Sequence, residues 1–344
     1  MLRRSVFFFA LFLFAACSTP SVKPPVQNKY VKEVPLKGGE GWDILTFDSN
    51  SKKLYISRFD HVDIVDTVNG SVSGTISGLS GVHAVALAPE VKRGFITNAG
   101  DNTVVVFNIE SLKEEKRIKV GEKPDEIIFD GVTKQILAFN GKSEDVSIIN
   151  PHTLRVLKTV KLGGAPEFAV TNKSGNVFVN LEDKNEVVQF SPKSGKILSR
   201  WSLDGGEKPT GIAYDATRHL IFSACDNNRM IVLDSVKGNT LQSVPIGNGP
   251  DGAAFDELYS LAFIPNGKNG TLTVVRVESR SSVKVMDTVP TGEGARTITI
   301  DPGSGTAFLI SGTVHNDQEH PKPRRYEDGS VKVLLFNYGS WASK

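Results

Sequence analysis

Cysteine is scarce in this chain, with only Cys17 and Cys225 present, so at most one disulfide is possible and no disulfide framework can hold the fold. A charge excess of one sign is also missing. Forty basic residues against 38 acidic ones leave a formal charge of +2, which gives no electrostatic footprint of a nucleic-acid binder. HExxH, CxxC, CxxCH, GxSxG and the P-loop are all absent, which removes the common zinc-protease, thiol-redox, haem-attachment, serine-hydrolase and nucleotide-phosphate signatures. GNGPDG at 247–252 matches GxGxxG in letters, but it links two strand-like runs rather than a strand and a helix, so it is no dinucleotide site. No helical periodicity of useful length is found.

What is present begins at the N-terminus. Met1-Leu2-Arg3-Arg4 is basic, and Val6 to Cys17 runs VFFFALFLFAAC without a charged side chain. Twelve residues are too few to span a hydrocarbon core of ~30 Å, which needs about 20, so the segment reads as a secretory signal. Phe14-Ala15-Ala16-Cys17 resembles the bacterial lipobox, with Phe14 in place of the usual leucine. The resemblance implies cleavage after residue 16, acylation of Cys17 and anchoring in a lipid bilayer of a bacterial cell envelope, facing the periplasm or the surface. Ser18 to Lys29 (STPSVKPPVQNK) is too poor in large apolar groups to fold and is expected to be a tether. The expected organisation is therefore 1–16 signal, 17–29 lipidated tether and 30–344 folded domain. With Cys17 assigned, Cys225 is left alone in the apolar run LIFSAC and is expected to be a buried, inert thiol.

An internal repeat decides the fold. A phrase made of a small or Pro residue, a polar residue, an apolar run and usually Asp starts near residues 41, 81, 123, 165, 208, 249 and 294. It reads GWDILTFD, GVHAVALA, KPDEIIFD, APEFAVTN, KPTGIAYD, GPDGAAFD and GARTITID, at spacings of 40 to 45 residues. Each copy precedes further short runs rich in Val, Ile, Phe and Thr and bounded by Gly, Asn, Asp and Ser, which read as strands. Four strands per unit is the mark of a propeller blade. The sequence thus predicts an all-β, seven-bladed β-propeller with four antiparallel strands per blade. The last unit lacks its fourth strand, whereas Tyr30–Leu36 has the fourth-strand pattern and is expected to close the ring in the last blade. A length that suggests two domains is overridden by this repeat.

Phe95-Ile96-Thr97-Asn98 followed by Asp101-Asn102-Thr103-Val104 resembles the YVTN repeat of bacterial β-propellers. Asn269–Val275, Val289–Thr297 and the insertion His320-Pro321-Lys322-Pro323-Arg324-Arg325 resemble the late blades of the YncE-like branch. The resemblance covers roughly Tyr30 to Phe336. It implies the fold and an exported binding protein, and it supplies no catalytic motif.

Stacking the seven phrases puts Asp43, His83, Asp125, Glu167, Thr210, Asp251 and Arg296 at one equivalent position, just before each apolar run. In a propeller the innermost strand starts at the channel mouth, so these residues are expected to form one ring, able to hold a cation or orient a small polar ligand. Polar residues are also ordinary at an exposed strand start, and the two readings stand about even. His61, His315 and His320 are expected in loops on the same face, and His152 and His219 on the opposite one. Imidazole with carboxylate suits transition metals, which makes His83, His315 and His320 candidate ligands of a divalent metal. Arg324 and Arg325 fit an anionic partner or plain solvated loop charge.

Two functions fit. A lipid-anchored, monomeric binding module would present its loop face and channel mouth to a small ligand or a cell-envelope protein. The alternative is a propeller hydrolase, lactonase-like or metal-dependent, using the acidic and histidine ring. No nucleophile with an identifiable base is present, which ranks the binding module first.

Overall fold

The computed structural model describes residues 30–314 and 325–339. Twenty-eight strands form seven four-stranded antiparallel sheets, one per blade. Blade one comprises Trp42–Asp48, Lys53–Arg58, His61–Asp66 and Ser71–Ile76, and blades two to six repeat the pattern in chain order. Blade seven is Thr299–Asp301, Thr306–Ser311 and Lys332–Asn337, completed by the first strand of the chain, Tyr30–Pro35. That strand pairs antiparallel with Lys332–Asn337, Tyr30 opposite Phe336 and Pro35 opposite Lys332. The expected closure is therefore present.

Burial peaks in the second and third strands of each blade. The second strands carry almost continuous apolar runs, such as Leu220–Cys225 and Leu261–Asn266, and are fully buried. The outermost strand Glu114–Lys119 (EEKRIK) keeps only Ile118 buried. Seven apolar clusters hold the ring, and each lies mainly between two neighbouring blades. The seam between blades four and five packs Phe178 against Trp201 and Tyr214 at ring-centroid distances of 5.9 and 5.2 Å. The seam that closes the circle joins Val34, Leu36, Trp42, Leu45 and Ile56 to Phe308, Ile310, Val333 and Leu335. Each seam removes apolar surface from water at about 25 cal/mol per Å², which supplies the cohesion that disulfides supply in small secreted folds.

Closure has a polar fastening as well. Arg58 is fully buried, and its guanidinium donates to the Glu40 carbonyl at 2.8 Å and the Gly41 carbonyl at 3.3 Å while pairing with Asp63 at 3.3 Å. It thereby pins the link between the closing strand and blade one. Cys225 is buried and free, and burial pushes its thiol up to about 12, as an inert thiol requires.

The innermost strands run from the mouth face to the opposite, base face. In blades one to five their register breaks at one place: Trp42/Leu45, Val82/Val85, Pro124/Ile127, Pro166/Ala169 and Pro209/Ile212. In blades six and seven a longer stretch leaves the ladder, apart from a single bridge between Pro250 and Asn266, and the innermost strand shrinks to Ala254–Asp256 and Thr299–Asp301. Gly211 shows why blade six gives way, since a Cβ there would lie 2.4 Å from the Gly252 carbonyl carbon. A bulge re-aims side chains and frees backbone groups from the ladder.

Candidate functional site

The residues of the expected ring sit at this register break or, for Asp251 and Arg296, in the stretch ahead of the shortened strand. Carbonyl groups freed by it need donors, and buried polar side chains of the preceding blade supply them. Ser57 donates to the His83 carbonyl at 2.5 Å, and Thr97 to the Asp125 carbonyl at 2.9 Å. Asn180 donates to the Thr210 carbonyl at 2.9 Å, and Thr297 to the Asp43 carbonyl at 2.7 Å. All four donors are at most 1% exposed. Backbone demands are met from outside the channel, which leaves the ring side chains free to face inward.

Five of them form an arc of alternating charge across blades six, seven, one, two and three. Arg296 Nε donates to Asp251 at 2.8 Å and Arg296 Nη2 reaches Asp43 at 3.4 Å. His83 Nδ1 lies 2.7 Å from the other Asp43 oxygen and 3.2 Å from Asp125. Arg296 also donates to the Trp42 carbonyl. Glu167, in blade four, lines the same space with no hydrogen-bond partner among the described residues. Thr210 departs from the expected ring. Its hydroxyl donates to the Pro250 carbonyl at 3.3 Å, and it lines neither channel cavity, because a short hydroxyl at the break is satisfied by the neighbouring blade.

Two cavities follow the axis. The outer one, of about 690 Å³, is walled by Trp42, Phe59, Lys123, Lys268, Arg296 and Tyr326 among others. Its aromatic wall is a Trp42–Tyr326 stack at 4.3 Å, and Gly294 makes room, since a Cβ there would meet Tyr326 Oη at 3.0 Å and Trp42 at 3.2 Å. Trp42 Nε1 and Tyr326 Oη are buried without a hydrogen-bond partner among the described residues. The inner cavity, of about 160 Å³, is lined by Asp43, His83, Asp125, Glu126, Glu167, Asp251 and Arg296, with Ile44 and Phe168.

Five carboxyl groups thus surround one guanidinium and one imidazole. Burial, reinforced by the charges of Asp125 and Asp251, pushes Glu167 up to about 9. Burial likewise raises Glu126 to about 8 against the opposing Ile127 amide, and Asp251 to about 7 against Arg296. Asp125 is also raised, mainly by burial. Burial alone would lower His83, but its hydrogen bond to Asp43 and the charges of Asp125 and Asp43 hold it at about 9. At neutral pH the ring therefore keeps imidazolium, guanidinium and at least two neutral carboxylic acids.

Glu126 was not in the expected ring. It is a charged residue at the head of the apolar run IIF, a position whose alternation demands burial, and it is 5% exposed. Trp42 and Tyr326 were also missed; the aromatic pair is assembled from the two ends of the chain. His61 opens the third strand of blade one rather than lying in the loop before it, pairs with Asp60 at 2.6 Å and Asp63 at 3.4 Å, and lines neither cavity. Cys17, His315, His320 and Arg324 lie outside the described residues. Arg325 bridges Glu40 in the backbone, and Tyr326 after it lines the mouth.

No protein-family model matches the chain, and no curated protein matches it in sequence. Among solved structures, Kuenenia stuttgartiensis hydrazine synthase is similar at TM-score 0.70 and 17% identity, covering 79% of this chain and 92% of its own. U3-55K is similar at TM-score 0.73 and 11% identity, covering 90% and 99%. The WD40 repeats of RRP9 are similar at TM-score 0.74 and 10% identity, covering 90% and 98%. Fold, neighbours and ring define the protein as a seven-bladed β-propeller with a polar channel. Likeness at such identities carries the fold alone.

Proposed function

We propose that this chain is an exported, lipid-anchored binding module of the YVTN-repeat type, taking a small ligand at the channel mouth on the face turned away from the membrane. The observation that carries the reading is the 690 Å³ mouth cavity, which is lined by an unpartnered aromatic pair and floored by a charged arc. Its size lies within the roughly 300–1,000 Å³ usual for ligand sites, and apolar walls with a few convergent polar groups are their usual chemistry. The walls fit a ligand with a flat apolar body and a polar end.

Topology supports the orientation. The closing strand has Pro35 at the mouth end and Tyr30 at the base end, so the segment that leads back to Cys17 leaves from the base. Acylation at Cys17 would hold the base towards the bilayer, since each buried CH₂ contributes about 0.8 kcal/mol and two or three chains give stable anchoring. The same mouth, walled by rigid strand ends and loops, is also open to a segment of a cell-envelope protein.

The test is a thermal-shift screen of small amphipathic metabolites, carried out in EDTA. A hit should raise the melting temperature of the wild-type chain and lose that effect in Phe59→Ser/Lys123→Asn, whose side chains line the mouth outside the arc. A hit that shifts both proteins equally places binding elsewhere.

A further inference from the structure

We propose that the inner cavity is a divalent transition-metal site, with His83 Nδ1 and one carboxylate oxygen each from Asp43 and Asp125 as ligands. The inference rests on the channel mouth being a binding site and names what sits at its floor. The three donor atoms lie within 4.8 Å of one another. His83 Nδ1 is 2.7 Å from Asp43 Oδ2 and 3.2 Å from Asp125 Oδ1. Bonds of about 2.0–2.2 Å to imidazole nitrogen and carboxylate oxygen place tetrahedral donors about 3.4 Å apart, so a small outward shift of the two aspartates admits an ion. On binding, Nδ1 gives its proton to solvent and its lone pair to the metal, which replaces one unit of positive charge with two.

A second observation points the same way. Glu126 is 5% exposed and lines this cavity. One of its oxygens accepts the Ile127 amide at 2.8 Å, and the other has no donor among the described residues. Glu167, across the cavity, has none for either oxygen. A carboxyl that faces a partly open cavity without a protein donor is met there by solvent, by a proton or by a cation. The protein's own second cation does not serve this flank. Arg296 is taken up by Asp251, the far oxygen of Asp43 and the Trp42 carbonyl. Across blades two to four the cavity is lined by Asp125, Glu126, Glu167 and the imidazole of His83, and the Lys123 ammonium acts on Asp125 from the mouth. One imidazole nitrogen among carboxylate oxygens suits zinc, cobalt or manganese, and three protein ligands leave positions open towards the mouth.

The test is titration of the EDTA-stripped full chain with CoCl₂ and ZnCl₂ at pH 7.5, read by calorimetry and, for cobalt, by visible absorption. One ion per chain, with cobalt bands of four- or five-coordination, is the expected result. Asp125→Asn and His83→Ala should remove the bands. Glu126→Gln should weaken affinity about tenfold while melting no lower than wild type in EDTA, which guards against a folding defect. Phe59→Ser alone, which changes no charge, should take up metal unchanged. No stoichiometric uptake by wild type, or uptake equal in wild type and Asp125→Asn, overturns the site and leaves His83 as an internal counter-charge. A mouth ligand that still shifts the wild type in EDTA would then show that only the metal has failed. Metal uptake with no mouth ligand would show the opposite, with the metal site standing and the mouth site lost.

Discussion

The seams between blades and the channel they enclose are built from the same strands and obey opposite rules. In a seam, apolar groups meet apolar groups, and the carbonyls freed at four register breaks are each met by a buried Ser, Thr or Asn of the neighbouring blade. In the channel, five carboxyls share two cations and two of them lack a full set of partners. Cohesion sits in the seams and an unmet demand for positive charge sits on the axis.

Breaking a seam should therefore cost far more than altering the ring. Deleting residues 30–36 removes the outer strand of blade seven and much of the closing seam, exposing the edge of Lys332–Asn337. A fall of about 10 °C or more in melting temperature is expected, measured by calorimetry, against little change on deleting residues 18–29. Equal effects from the two deletions would count against closure. Next comes Phe178→Ala, which empties part of the blade four–five seam and should cost about 3–5 kcal/mol in a denaturant titration. On the ring, Asp43→Asn/Asp125→Asn should abolish ligand and metal binding, and its stability cost should stay below that of Phe178→Ala. The cost is not zero, because both aspartates hold His83. The smallest effect belongs to Cys17→Ser, expected to leave the melting curve unchanged and to move the protein from the membrane fraction to the soluble one on fractionation.

The seams were legible in the sequence because they repeat. GFITN, ILAFN and LIFSA recur at a fixed period, and the closing strand betrayed itself as a fourth strand lacking the first three. The ring was legible in part, for the same reason: equivalent positions in seven phrases converge on one axis. Its pairing was not. Nothing in KPDEIIFD says that the strand bulges between Pro124 and Ile127, and it is the bulge that allows Asp125 and Glu126, consecutive in the chain, to line one cavity. Alternation along a regular strand would have sent them to opposite faces. Tyr326 escaped because its partner Trp42 stands at the other end of the chain, and only ring closure brings them together.

Whether the channel holds carboxyls that its own cations do not match is decided by the pH dependence of stability in Glu126→Gln/Glu167→Gln. In the folded wild type these groups keep their protons up to about 8 and about 9. In the unfolded chain they lose them near about 4.3. Unfolding then releases protons across that interval, so their contribution is full below about 4.3 and is lost as pH rises towards 8 and 9. His83, held at about 9 against about 6.5 unfolded, adds a decline of the same sign in both proteins. Denaturant titrations from pH 4 to pH 9 should show wild type losing stability steeply and the double variant losing distinctly less, the two drawing together below about 4.3, where the glutamates are protonated in folded and unfolded chain alike. Parallel curves would refute the mismatch and make the ring a satisfied part of the fold.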